Sequence, residues 1–372
     1  MAPSSRARLT VDLDALAHNF HAIAAESAGA ETAPVVKADG YGLGAGPLAQ
    51  RLWAEGARTF FVARLAEGEA LRAALGARPA TILVLDGFTP GTGPRLAAAS
   101  LTPVLSGMAQ ISAASAFAVS ARAPLPCALQ VDTGMNRQGI TVAQAAAVAQ
   151  SPDRLRGLDI GLIMSHLGCG AEPDHPRNRQ QLAAFHQVRA LFPEARASLA
   201  ASAGAFLGPD YRFDLVRPGI SLYGGGPQER FDPRLRAVAR LEAPILDIRN
   251  LNPGDLIGYG DTIAVDRATR VAVVGAGYAD GVIRAARRQG QAFVGGALRR
   301  LYIVDMDLTV VDLGEANVQL GDMVELLGPN ALLDDLAQAA GSIAHECLVR
   351  LSPRAERIYV GETVAEPAWA AR

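Results

Sequence analysis

Up to about residue 233, short runs rich in apolar and β-branched residues alternate with longer Ala/Leu/Arg stretches of helical period. That alternation constrains the fold more than any other feature. A parallel neighbour strand can be reached only by a long return connection, which is usually a helix. Eight runs read as strands, at 33–36, 59–63, 81–85, 101–105, 127–131, 159–165, 197–200 and 214–216, with stretches such as 47–56 and 178–191 as helices between them. Eight βα units in about 200 residues predict a closed (β/α)8 barrel of TIM type.

From about Arg234 the texture changes to strand-like runs punctuated by Gly, Pro and Asp, at 243–248, 271–274, 301–304, 308–312, 323–326 and 358–360. One helical insert is expected at 332–340, ahead of Gly341. The reading is an α/β chain in two domains: a barrel over residues 9–233 and a mostly antiparallel β domain over 234–372. A length of 372 residues suits two cores better than one.

Composition excludes several classes of function. Half the residues are hydrophobic, 19% are charged and the net charge is −2, so no basic footprint for nucleic acid or anionic membrane is present. No run reaches the roughly 18 apolar residues of a membrane helix. Two arginines near the N-terminus precede no apolar stretch, because Asp12, Asp14 and His18 break the run after them, so a secretory signal is not expected. Cys127, Cys169 and Cys347 lack a CxxC spacing and read as free buried thiols of a reducing compartment, with neither a disulfide frame nor a metal site. These features together predict a cytoplasmic protein.

Barrel enzymes carry reactive groups at the carboxyl ends of their strands. Here those positions are Lys37, Arg64, Asp86, Ser106, Asp132 with Arg137, His166, Ser202 and Arg217. A lysine ending an apolar strand points into the barrel mouth, where desolvation lowers its pKa and makes it a nucleophile; it can equally cap a strand edge. His166 suits a structural hydrogen bond as well as catalysis. Arg217 resists a purely structural reading, because a buried guanidinium brings a permanent charge that must find acceptors.

The segment Val35-Val36-Lys37-Ala38-Asp39-Gly40-Tyr41-Gly42-Leu43-Gly44 resembles the cofactor-attachment motif of alanine racemases. The resemblance extends through Val131–Arg137, Ser165–Leu167, Ala201–Ala203, Val216–Ile220, Gly258–Gly260, Gly277–Gly281 and Met306–Asp307, in family order. It implies a pyridoxal-phosphate-dependent isomerase acting on alanine, with Lys37 as attachment lysine and acid/base group on one face of the substrate α-carbon and Tyr259 serving the other. It further implies Arg217 as donor to the pyridine nitrogen and His166 as a bridge between Arg217 and Tyr259. Tyr41, Ser202, Gly219 and Ile220 resemble the phosphate cradle. Arg137, Tyr278, Met306 and Asp307 resemble groups around the substrate carboxylate and the entrance. Second-domain residues of the family reach the partner's site, which implies a homodimer with composite sites. No metal is implied.

Three positions depart from the family pattern. Gln130 stands where many relatives carry a lysine whose carbamate faces Arg137, and an amide cannot form one. Pro353 replaces a phosphate-binding tyrosine of some relatives, and Asp305 fills a place where a small residue is common. The same-fold alternative is a broader-specificity amino-acid racemase. A decarboxylase of this fold sets a carboxylate against the pyridine nitrogen, which Arg217 opposes. A single-domain pyridoxal-phosphate carrier would lack the second domain.

Overall fold

The computed structural model describes residues 6–259 and 263–361. They form two compact units. One comprises residues 19–40 and 44–222, and the other takes residues 6–18, the tripeptide Tyr41–Leu43 and the described chain from Tyr223 onward.

Strand β1 (Arg8–Asp12) belongs to the second unit. The first unit holds β2 (Glu31–Thr32), β3 (Thr59–Val62), β4 (Thr81–Val84), β5 (Leu101–Leu105) and β6 (Leu125–Asp132). It continues with β7 (Ile140–Thr141), β8 (Leu158–Met164), β9 (Arg196–Ser198) and β10 (Leu215–Val216). Parallel pairing runs β3–β4–β5–β6–β8–β9, and β10 pairs in parallel with β2. Two single-residue parallel bridges, Val35 to Phe61 and Ala201 to Arg217, complete the ring of eight. The short β7 is an addition beside β6. Strands β3 and β4 are nearly continuous apolar runs, because a parallel strand in a barrel is covered on both faces.

The first barrel strand differs from its expected form. Regular pairing covers only Glu31–Thr32, and 33–36 is held by isolated bonds: Val35 N–H to Pro218 O and Val36 N–H to Phe61 O, each 2.9 Å. Pro34 is the cause, since it has no N–H to give to a ladder. Beyond Lys37 the backbone turns left-handed, with φ of 53° at Ala38, 53° at Asp39, 62° at Gly40 and 56° at Tyr41. Each L-residue held this way costs about 1–2 kcal/mol. Local bonds hold the turn: Gly40 N–H donates to Val36 O at 2.9 Å, and Ala45 N–H to Asp39 Oδ1 at 2.8 Å. The expected helices are present as Ala45–Ala54 and Pro176–Leu191.

The second unit adds β11 (Ala239–Leu251), β12 (Thr269–Val274), β13 (Gln291–Val294) and β14 (Ala297–Val304), then β15 (Thr309–Asp312), β16 (Met323–Leu327) and β17 (Glu356–Val360). Their order is β12–β15–β14–β13–β16–β11–β1–β17, and the long β11 also pairs with β12, so the sheet curls back on itself. All pairs are antiparallel except β1 with β17. Ile257, Ile263, Val265, Val271, Tyr302, Ile303 and Val310 form a core cluster within it. The helical insert runs Leu333–Ala339, and a second helix, Ala344–Val349, comes after it.

The compact units divide the chain near residue 223, where the texture of the sequence suggests 233/234, and they give β1 to the β unit. Leu9 and Val11 of β1 are fully buried there, and the strand joins β11 to β17. Cys127 and Cys347 are buried, and burial pushes their thiols up to about 12 and about 11. Cys169 is half-buried, which corrects the expectation of three buried thiols; all three are free. Among the described residues no helix is long and apolar enough to cross a membrane.

Candidate active site

Every strand-end position singled out in the sequence lies at the carboxyl end of a barrel strand. Four of them organise the rim itself. Arg64 pairs with Asp86 at 2.7 Å in the open, Ser106 Oγ accepts from Gln138 Nε2 at 3.1 Å, and Asp132 Oδ1 accepts from Gly134 and Met135 N–H at 2.8 Å. These bonds shape loops.

Arg217 is different in kind. It is 3% exposed, donates through Nη1 to Ser198 Oγ, and through Nη2 to Ser165 O at 2.5 Å. The Ser198 hydroxyl spends its own hydrogen on Leu215 O at 2.5 Å, which leaves its lone pairs for the guanidinium. Among the described residues no carboxylate pairs with Arg217. Burial pulls it down to about 9, so it stays protonated at neutral pH. Behind it a buried polar chain continues: Ser165 Oγ meets Thr133 Oγ1 at 2.8 Å, and Gln181 Nε2 reaches Thr133 Oγ1 at 3.3 Å and His166 O at 2.8 Å. His166 lies just past β8 and is half-buried, its backbone carbonyl fixed by Gln181.

Ser202 Oγ accepts from the N–H groups of Gly219, at 2.9 Å, and Ser221, at 3.2 Å. Ile220 lies between them and is buried. A hydroxyl and converging backbone N–H groups are the donor chemistry of an oxyanion or phosphate cradle.

Lys37 is the only lysine in the chain, against 34 arginines. The strand carrying it lies beside that of Arg217, through the bond from Val35 N–H to Pro218 O. Burial lowers the amine's pKa, the nearby Arg137 charge lowers it further, and Glu67 opposes both. Arg137 is exposed, with no ion pair or side-chain hydrogen bond among the described residues. Gln130 is buried on β6. Glu67 was not legible as a site residue, because a glutamate three residues after Arg64 reads as an ordinary helix cap.

The second unit gathers other expected residues. Tyr278 N–H donates to Asp305 O at 2.9 Å and Ala279 N–H to Met306 O at 3.0 Å, so the Tyr278 and Met306 loops are bonded together. Gly277 permits this contact, since a Cβ there would lie 2.2 Å from Asp305 O. Tyr278 and Met306 are 43% and 54% exposed, whereas Asp307 is engaged in an ion pair with Arg354 at 2.6 Å. Nothing in the structure accounts for an acid at Asp305. Tyr259 is 84% exposed, and its neighbour Gly260 lies outside the described residues. Tyr41 is buried, its ring 4.6 Å from that of Tyr223 and 5.9 Å from that of His345, and burial raises its phenol pKa.

Residues 11–227 match the family described as alanine racemase, N-terminal domain, and 238–359 match alanine racemase, C-terminal domain. A protein of Mesorhizobium japonicum named alanine racemase, catabolic, is 44% identical over 95% of this chain and 93% of its own length. One of Agrobacterium fabrum named alanine racemase, biosynthetic, is 43% identical over 95% and 93%. Among solved structures, alanine racemase from Bartonella henselae with covalently bound pyridoxal phosphate superposes with a TM-score of 0.90 at 35% identity, covering 96% of this chain and 100% of that one. Biosynthetic alanine racemase from Pseudomonas aeruginosa superposes with 0.87 at 32% identity, covering 96% and 100%.

Proposed function

The chain belongs to the alanine racemase family, and on that premise we propose that it interconverts L- and D-alanine with pyridoxal phosphate carried on Lys37. The observation that carries this reading is the single lysine of the chain, set at a barrel strand end beside the strand of the buried Arg217. The donor set fits the cofactor: an amine for an aldehyde, a guanidinium for a ring nitrogen, and a hydroxyl with backbone N–H groups for a phosphate. When bound, the cofactor supplies an electron sink that acidifies the α-hydrogen of an attached amino acid.

The protein's own residues supply the rest. Burial and Arg137 lower the Lys37 pKa, so its amine is free of its proton more readily than an exposed lysine and can exchange one with one face of the α-carbon. Tyr259 is assigned the opposite face, supplied by the partner chain of a homodimer. Arg217 would hold the pyridine nitrogen through an N–H that a guanidinium does not give up. His166 bridges Arg217 to Tyr259. Ser202, Gly219, Ile220 and Tyr41 receive the phosphate. Arg137, Tyr278 and the Met306 backbone serve the substrate carboxylate and entrance, with Asp307 holding the entrance loop through Arg354. The proposed location is the cytoplasm.

Incubating the purified protein with each L-amino acid in turn and resolving the products by chiral chromatography tests the reaction. D-alanine should form from L-alanine alone; no D-alanine would overturn the reading. Borohydride reduction and peptide mapping should place the pyridoxyl label on Lys37, and a protein labelled only at its N-terminus would remove that assignment.

A further inference from the structure

Glu67, near the start of the helix Leu65–Leu75, brings together two strand ends. Its Oε1 accepts the Ala38 N–H at 2.9 Å, while its Oε2 accepts the N–H groups of Ala63, at 2.8 Å, and Arg64, at 3.1 Å. The last two bonds are what a helix cap requires. The first is not, because Ala38 lies 29 residues away in sequence, in the turn that follows another strand. Ala38 comes directly after Lys37 and opens the left-handed turn, a conformation that persists only where its surroundings hold it.

We propose that Glu67 is a positioning residue for the Lys37 amine, a carboxylate that staples the turn bearing Lys37 to the end of β3. The inference rests on Lys37 being the attachment residue. Three backbone donors converge on one side chain, so the turn cannot shift without leaving a donor or a carboxylate oxygen without its partner. The charged groups acting on Lys37 are Arg137 and Glu67, and Glu67 alone opposes the loss of the amine's proton. Staple and charge therefore reside in the same carboxylate, and they can be separated by substitution.

The full-length protein carrying Glu67→Gln or Glu67→Asp tests this. Because Lys37 is the only lysine, competitive labelling of the cofactor-free protein with acetic anhydride, read by mass spectrometry, reports one side-chain amine with the N-terminus as internal reference. In Glu67→Gln the charge is gone and the amide has one acceptor for two sets of donors. The Lys37 labelling midpoint should move to lower pH while that of the N-terminus stays. Attachment of added pyridoxal phosphate, monitored by visible absorbance, should slow by roughly 10- to 10²-fold, the order expected of ångström-scale misplacement. Glu67→Asp keeps the charge but is one methylene short, so it should keep the midpoint and lose the fast attachment. An unchanged midpoint and unchanged attachment rate in Glu67→Gln would overturn the proposal; if that variant does not fold, a normal attachment rate in Glu67→Asp would do so. Failure of the unsubstituted protein to take the cofactor on Lys37 would instead remove the functional reading, while the labelling midpoint still reports on Glu67.

Discussion

Arg354 lays its guanidinium along Asp280, with Nε 2.7 Å from Oδ1 and Nη2 on Oδ2, and sends Nη1 to Asp307 at 2.6 Å. Asp280 is 4% exposed, and its Oδ2 also accepts the Gly277 N–H at 2.9 Å. One arginine thereby ties together the Tyr278 and Met306 loops. Arg354→Met strands a buried carboxylate, and unfolding stability should fall by about 1–3 kcal/mol. With Tyr278 and Met306 in the assigned roles, KM for alanine should rise more than kcat falls, and cofactor attachment should be unaffected. Steady-state kinetics alongside chemical denaturation separates these effects; an unchanged KM removes the substrate role of the two loops.

Burial lowers the Lys37 pKa from its ordinary 10.5, so the sign of its effect on stability is defined. Below the lowered value both folded and unfolded chains hold the proton, and the cost of burying the charge is fully present. Between that value and 10.5 only the unfolded chain holds it, so stability rises with pH across that window. Lys37→Met should therefore stabilise the cofactor-free protein at neutral pH, with the advantage shrinking in alkali. Thermal midpoints of both proteins across pH check this, and an advantage that grows with pH would contradict it.

Gln130 cannot take up carbon dioxide, and the chain offers no second lysine that could. Activity should be indifferent to added bicarbonate, and intact-mass spectra should show no labile carbamate. Arg137 has no acid partner among the described residues, so an inorganic anion is expected to serve it, and removing chloride should weaken substrate binding. A bicarbonate requirement would run against this account of the Arg137 environment.

Proton delivery to both faces of one carbon calls for two opposed groups. If Tyr259 is the second, Tyr259→Phe should bind cofactor normally and lose about 10²- to 10⁴-fold in turnover. If Tyr259 acts from the partner chain, mixing Tyr259→Phe with Lys37→Ala should produce heterodimers with one intact site and restore part of the activity. Near-normal turnover in the single variant refutes the base assignment, and inactive verified heterodimers refute the shared site.

Much of the barrel was legible because its strands are buried on both faces and read as unbroken apolar runs, as in β3 and β4. Lys37 and Arg217 stood out because each places a charge at the end of such a run. Strand β1 escaped notice, being five residues long and paired with strands more than 200 residues away. The left-handed turn was equally hidden. Ala38 carries no sign of its positive φ, whereas Gly40 and Gly42 do. Glu67 escaped because its bond to Ala38 runs from a helix start to the turn after another strand, and only the folded chain brings those residues together.

The hand of the backbone at Ala38 and Asp39 also sets how this protein can drift over generations. A Cβ in the left-handed region crowds its own carbonyl, so glycine, asparagine and other small or unbranched residues are tolerated there, while valine, isoleucine and threonine are opposed. That filter acts before any contact with substrate or cofactor is considered. Substitutions beside the reactive lysine are therefore sorted first by shape at the β-carbon, and a mutational scan of position 38 should rank residues by branching rather than by polarity or charge, whereas position 39 must also keep an acceptor for the Ala45 N–H.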